Sequence, residues 1–252
     1  MVNIIMNGCN GKMGQVISRL VEQDDECRIV AGFDIVGEAK NGYPVYTNPE
    51  DFDGEADVVI DFSHPDSLEG ILNFCKSRKI PVIEATTGLS NKQKNEMEAA
   101  SAEIPLFFSA NMSLGINLLI DLAKKATKLL QDNFDIEIVE RHHNQKIDAP
   151  SGTALAIADA IADEMTDEAE YMYDRHIARK KRKKNEIGIH ALRGGTIVGD
   201  HTVVFAGTDE VIELKHSAAS KEVFAVGAIK AAKFMAGKKP GMYNMNDLIS
   251  EM

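Results

Sequence analysis

The chain has 252 residues, 44 % of them hydrophobic and 27 % charged, an ordinary globular balance with room for one large α/β domain or two smaller ones. Asp and Glu outnumber Lys and Arg by 39 to 28, for a net charge of −11. That balance argues against a nucleic-acid binder and demands a local cluster of cations for any anionic ligand.

The three cysteines, Cys9, Cys27 and Cys75, fit neither a disulfide framework nor a zinc knuckle, which points to a reducing, cytoplasmic setting. The opening MVNIIMNGCNG lacks the basic and apolar regions of a signal peptide. No apolar run reaches the ~18 residues of a membrane span, so no membrane partner is expected.

Short runs rich in Val, Ile and Phe at 2–6, 28–33, 57–61, 80–84 and 105–108 predict strands, with helical segments near 12–23, 65–78 and 90–101. Strand, helix, strand in repetition implies a parallel sheet covered on both faces, a Rossmann-type arrangement. Leu114 to Leu130 predicts one long amphipathic helix, followed by a strand in FDIEIVERHH and a helix after Pro150. The runs IGIHALR, TIVGDHTVVFAG and DEVIELKHSA are joined by Gly-containing turns and predict consecutive antiparallel strands. A last helix near 221–236 would return to the first domain. The fold expected is α/β: a dinucleotide-binding domain over 1–113 with 221–252, and a C-terminal α+β domain over 114–220 whose sheet is mostly antiparallel.

Within the first strand–helix turn stands Gly8-Cys9-Asn10-Gly11-Lys12-Met13-Gly14. Glycine lets the backbone bend and approach a pyrophosphate, and the N–H groups of the following helix face the anion. A glycine trio alone is weak, and a tight turn without ligand is the plain alternative. Context favours a dinucleotide, because Asp34 closes the second strand where a ribose-binding carboxylate belongs.

A second cluster runs from Glu140 to Ala154, ERHHNQKIDAPSGTA. His142, His143 and Lys146 lie at a strand end, and Ser151, Gly152 and Thr153 open a helix whose hydroxyls and backbone N–H groups suit a carboxylate or phosphate. Histidine is the natural proton donor near neutral pH, and a lysine can stabilise developing negative charge. A polar loop with an ordinary helix cap is the alternative. Metal binding is disfavoured, since no partner pattern accompanies His142, His143, His190, His201 and His216, and adjacent strand histidines point apart.

Taken together, the chain resembles the 4-hydroxy-tetrahydrodipicolinate reductase (dihydrodipicolinate reductase) family. The resemblance is collinear through GCNGKMG at 8–14, DFSHP at 61–65, TTG at 86–88, ANMSLGIN at 110–117, HHNQKIDAPSGTAL at 142–155 and RGGTIVGDHTVVFAG at 193–207. It implies reduction of a cyclic imine dicarboxylate by NADH or NADPH in lysine and diaminopimelate biosynthesis. By that resemblance His142 is the proton donor and Lys146 the second catalytic cation, while His143, Gly152 and Thr153, with Ser151 beside them, hold the substrate. It also places the cofactor against Gly8, Cys9, Asn10, Gly11, Lys12 and Met13, against Ala85, Thr86 and Thr87, and against Ser109, Ala110, Asn111 and Met112. A homotetramer joined through the second domain is implied as well.

Three departures stand out. Ala85 replaces a glycine common in the family, and Met112 an aromatic. Arg179 to Lys184, RKKRKK, is unusually basic, and reads as a solvated face or as an attractor of a dianionic substrate. NADH is the expected preference, because Asp34 repels a 2′-phosphate and is followed by Ile35, Val36 and Gly37 rather than arginine, with Lys12 left to admit NADPH. A non-catalytic NAD-sensing regulator would need a DNA- or partner-binding module that is not apparent. An aspartate or other amino-acid dehydrogenase is disfavoured by the HHNQK and PSGT segment.

Overall fold

The computed structural model describes residues 1–176 and 179–251. It divides into two compact units, Met1–Leu114 with the chain from Glu222 onward, and Gly115–Lys221.

The first unit alternates β1 (Val2–Asn7), α1 (Lys12–Val21), β2 (Cys27–Phe33), β3 (Val45–Tyr46), β4 (Val58–Asp61), α2 (Leu68–Arg78), β5 (Val82–Glu84), α3 (Asn91–Ser101) and β6 (Pro105–Phe108). The chain re-enters this unit as α6 (Glu222–Met235), β12 (Gly241–Tyr243) and α7 (Met245–Ser250). The strands order β12-β6-β5-β4-β1-β2-β3, every pair parallel. Such a sheet is buried on both faces, which explains why its strands read as unbroken apolar runs.

Successive side chains take opposite faces. Ile4, Met6, Val58, Ile60 and Ile83 pack with α1 and α6, whereas Ile5, Val59, Val82 and Leu106 pack with α2 and α3. Truncating one such fully buried isoleucine to alanine costs about 2–5 kcal/mol. The small residues of α6 let it lie close to the sheet. A Cβ on Gly227 would stand 1.7 Å from the Met112 carbonyl oxygen.

The second unit contains α4 (Leu114–Leu130), β7 (Asp135–His142), α5 (Gly152–Ala162), β8 (Glu170–Met172), β9 (Glu186–Arg193), β10 (Gly199–Ala206) and β11 (Val211–Ala218). Its strands order β11-β10-β7-β9-β8. Only part of the expected antiparallel run forms. β10 pairs antiparallel with β11 and β7, but β9 does not pair with β10; it lies parallel to β7, and β8 lies parallel to β9. The sheet is therefore mixed. Alternating apolar residues mark a half-buried strand but not its direction, and the α5 crossover from β7 delivers β9 in the parallel sense. In β7 burial alternates strictly, with Ile136, Ile138, Glu140 and His142 facing inward. The core of this unit gathers those isoleucines with Ile157, Ile161, Ile187, Ile189, Val203 and Phe205.

Candidate active site

The glycine loop lies at the carboxyl end of β1. Gly8 has φ +77°, and a Cβ there would meet the Phe62 carbonyl oxygen at 2.8 Å. A Cβ on Gly14 would come within 2.3 Å of the Gly8 carbonyl oxygen. Gly11 caps α1 without any side-chain bond, and no acidic residue occupies the first turn, so the helix start remains available to an anion. Beside it opens a cleft of about 570 Å³ whose walls include Gly8, Asn10, Gly11, Asp34, Lys40 and His64.

Asp34 follows the last residue of β2. Its carboxylate accepts the Asn10 N–H at 2.9 Å and the Val36 N–H at 3.0 Å. The Asn10 amide in turn donates to the carbonyls of Val36 and Glu38, pinning the loop after β2. These features fit a dinucleotide: a cradle only glycine can form, a free helix start and a carboxylate fixed at the strand end.

The other positions assigned to the cofactor are placed variously. Cys9 is fully buried, with its thiol turned toward Gly32, and Met13 packs against the core. Lys12 is exposed at the first position of α1 and is not among the residues lining the cleft. Ala85, Thr86 and Thr87 follow β5; Thr86 donates its N–H to Glu84 at 2.7 Å, and Thr87 is exposed. Ser109, Ala110 and Asn111 follow β6, where the Ser109 hydroxyl donates to the Asn111 carbonyl at 3.0 Å and Asn111 accepts the Ser113 N–H at 2.8 Å. Met112 is 4 % exposed and its side chain belongs to the core.

Beneath these loops lies a pair that sequence reasoning passed over. Asp61 and Glu84 end β4 and β5 in register, at 1 % and 0 % exposure. Asp61 accepts the Ser63 N–H and hydroxyl at 2.9 and 2.5 Å, and the Thr86 hydroxyl lies 3.4 Å away. Burial, and then the negative charge of Asp61, push the Glu84 carboxyl up to about 9, and burial raises Asp61 as well.

In the second unit, β7 delivers Glu140 and His142 to one face. Glu140, fully buried, accepts His142 Nδ1 at 2.6 Å, the Ser151 N–H at 2.9 Å and both terminal nitrogens of Arg193 at 2.7 Å. Burial alone would raise its carboxyl, but the bonds from Arg193, His142 and Ser151 outweigh it and hold Glu140 below the ordinary glutamate range. The His142 side chain keeps 11 % exposure, and its ring stacks edge-on with His201 at 5.2 Å. Burial first, and the neighbouring His142 second, bring His201 down to about 4, so it stays neutral.

Ser151 caps α5, accepting the Ala154 N–H at 3.2 Å and bonding His201 Nε2 at 3.1 Å. At 2 % exposure its hydroxyl serves the helix and the histidine. Gly152 faces open space on its Cβ side. Lys146 reaches Asp148 at 2.8 Å, and Asp148 is held below the usual aspartate range by that ammonium and, more weakly, by the Gly152 N–H. His143 is half-buried just past β7. His142, Lys146 and the start of α5 thus come together, tied by Glu140, Arg193 and Asp148, to which sequence reasoning gave no role. Glu140 was findable, because a residue two before His142 on a strand must share its face. Arg193 enters from β9 and has no local signature.

The basic run divides. Arg182 is inserted between Glu137 and Asp135 at 3.1 and 3.0 Å, and Lys183 pairs with Glu170 at 2.6 Å, whereas Arg179 and Lys180 are exposed. Among the described residues no cluster of three or more His, Cys, Asp or Glu is arranged to hold a metal, and no helix is long and apolar enough to cross a membrane.

Known proteins match the chain end to end. Residues 2–112 match the family model for the dihydrodipicolinate reductase N-terminus, and residues 115–249 the model for its C-terminus. The 4-hydroxy-tetrahydrodipicolinate reductase of Caldanaerobacter subterraneus subsp. tengcongensis is 54 % identical over 100 % of this chain and 99 % of the relative. That of Clostridium tetani is 50 % identical over 99 % and 98 %. Among solved structures, a dipicolinate-bound dihydrodipicolinate reductase from Paenisporosarcina sp. TG-14 shares the fold with TM-score 0.83 and 23 % identity, over 98 % of this chain and 99 % of that one. With both halves matched and half or more of the residues shared along the whole length, the chain belongs to the dihydrodipicolinate reductase family.

Proposed function

We propose that the protein reduces 4-hydroxy-tetrahydrodipicolinate to tetrahydrodipicolinate with NADH or NADPH, as a step of lysine and diaminopimelate biosynthesis in the cytoplasm. The observation that carries this reading is the convergence of His142, Lys146 and the α5 start on one segment. The first unit holds the nicotinamide dinucleotide and the second the substrate. The 4-hydroxyl leaves as water to give a cyclic imine dicarboxylate, and the reduced nicotinamide, when bound, would supply the hydride to C4 of that ring. His142, its Nδ1 occupied by Glu140, donates from Nε2 the proton that neutralises the anion left by hydride addition and completes the product. Lys146 stabilises negative charge building on the substrate. The N–H groups of Gly152 and Thr153 take one ring carboxylate, which replaces Asp148 at the helix start. His143, half-buried just past β7, joins them in holding the substrate.

Asp34 supports a preference for NADH, since its fixed carboxylate accepts ribose hydroxyls and repels a 2′-phosphate. NADPH is still used, with Lys12 and the cleft-lining Lys40 as its cations. The second unit also supports self-association as a homotetramer: its edge strand β11 exposes Val211 and Ile212. The test is loss of NADH absorbance when the product of dihydrodipicolinate synthase is added. His142→Gln and Lys146→Ala should each lower kcat by roughly 10²–10⁴ with unchanged NADH affinity. Near-normal kcat in both variants would overturn the assignment.

A further inference from the structure

We infer that Glu140 is a positioning residue that fixes which ring nitrogen of His142 delivers the proton, and that it sets the α5 start in the same stroke. The inference rests on His142 being the acid. Glu140 cannot touch substrate itself, because it is fully buried and both of its oxygens are taken. The bond at 2.6 Å from its Oε2 to His142 Nδ1 needs a hydrogen, and an ionised carboxylate cannot supply one. The hydrogen therefore sits on Nδ1, and Nε2 is left as the atom that gains and gives up the transferable proton.

Arg193 makes the arrangement hold. Its two-pronged grip keeps Glu140 ionised, so the shared hydrogen stays on the ring. The same guanidinium donates to the Asp148 carbonyl at 2.7 Å, tying in the loop that carries Lys146. From the other elements, His142 is faced by His201 and Gly199 of β10 and, beyond His201, by His216 of β11. His201 is held neutral and puts no competing charge against the ring. The Ser151 N–H completes the set, so one carboxylate spaces the proton donor from the anion-binding helix end.

Replacing Glu140 by glutamine tests this without altering size. Arg193 Nη2 and the Ser151 N–H, the donors already on Oε1, claim the amide oxygen, which turns the amide NH₂ toward His142 Nδ1 and leaves Arg193 Nη1 to the Leu192 carbonyl. Nδ1 must then accept, the neutral ring carries its hydrogen on Nε2, and the charged ring loses its partner. In ¹⁵N-histidine NMR at a pH where the ring is neutral, the wild-type enzyme should show His142 protonated on Nδ1, and Glu140→Gln should show it protonated on Nε2. The kcat of the variant should fall by on the order of 10²-fold or more, with KM for NADH within about twofold. Wild-type His142 protonated on Nε2 overturns the inference whether or not the variant folds. A folded variant with the switched tautomer and unchanged kcat overturns it as well. A normal kcat in His142→Gln would instead remove the acid role itself, while the tautomer result would still stand.

Discussion

Glu84 gives the pH dependence of stability a specific source. In the unfolded chain its carboxyl releases a proton near 4.5; in the fold, burial and the adjacent Asp61 hold that proton to about 9. Between these values the folded state binds more protons than the unfolded state, so stability is complete below the lower value and drains away as pH rises toward the upper one. Each pH unit in that window is worth about 1.4 kcal/mol per proton. Asp61 shares the site, so the total is on the order of 3–6 kcal/mol. Glu84→Gln keeps an oxygen for the Thr86 N–H, offers an NH₂ to Asp61 and has nothing to ionise. Wild type and variant should therefore match near pH 5, and by about pH 9 the variant should be more stable by roughly 3 kcal/mol. Hydrogen exchange at the β4 and β5 amides reads the unit that carries the pair. Parallel loss of protection in both proteins as the pH rises would refute the reasoning.

Thr153→Val keeps shape but removes a hydroxyl at the α5 start. It should raise KM for the dicarboxylate by an amount on the order of 1–3 kcal/mol, and a raised KM for NADH instead would reassign the segment. Lys40→Ala and Lys12→Ala should each weaken NADPH more than NADH, with the larger effect at Lys40, the one that lines the cleft with Asp34. A wild-type kcat/KM that clearly favours NADPH would contradict the role given to Asp34. Sedimentation at micromolar protein should show a species several times the 27.6 kDa chain mass; a monomer alone would exclude the tetramer.

The parallel sheet was legible because Ile4, Ile5, Val58, Val59 and Ile60 form runs too apolar for anything but a strand covered twice. The short strands escaped: Val45–Tyr46 and Gly241–Tyr243 are held by neighbours β2 and β6, not by any period of their own. The clustering of polar groups on one segment was legible too, since His142, Lys146, Ser151 and Gly152 stand within a dozen positions. Partners from distant strands were not. Arg193 reaches Glu140 across 53 positions, and Glu84 meets Asp61 only through strand register. The direction of β9 was also hidden, because residue alternation is the same in parallel and antiparallel pairs.

The first unit is built from two pieces of chain, and synthesis delivers them far apart. When the nascent chain has reached Leu114, β6 has no outer neighbour, and the sheet face destined for Ala225, Ala228, Ala231 and Ala232 lies bare. Everything needed for the second unit leaves the ribosome before α6 does, so the inserted unit can close while the unit that surrounds it in sequence is still open. The half-made first unit must therefore wait through more than a hundred further residues with an apolar face exposed, the state in which a nascent chain is most open to misassembly.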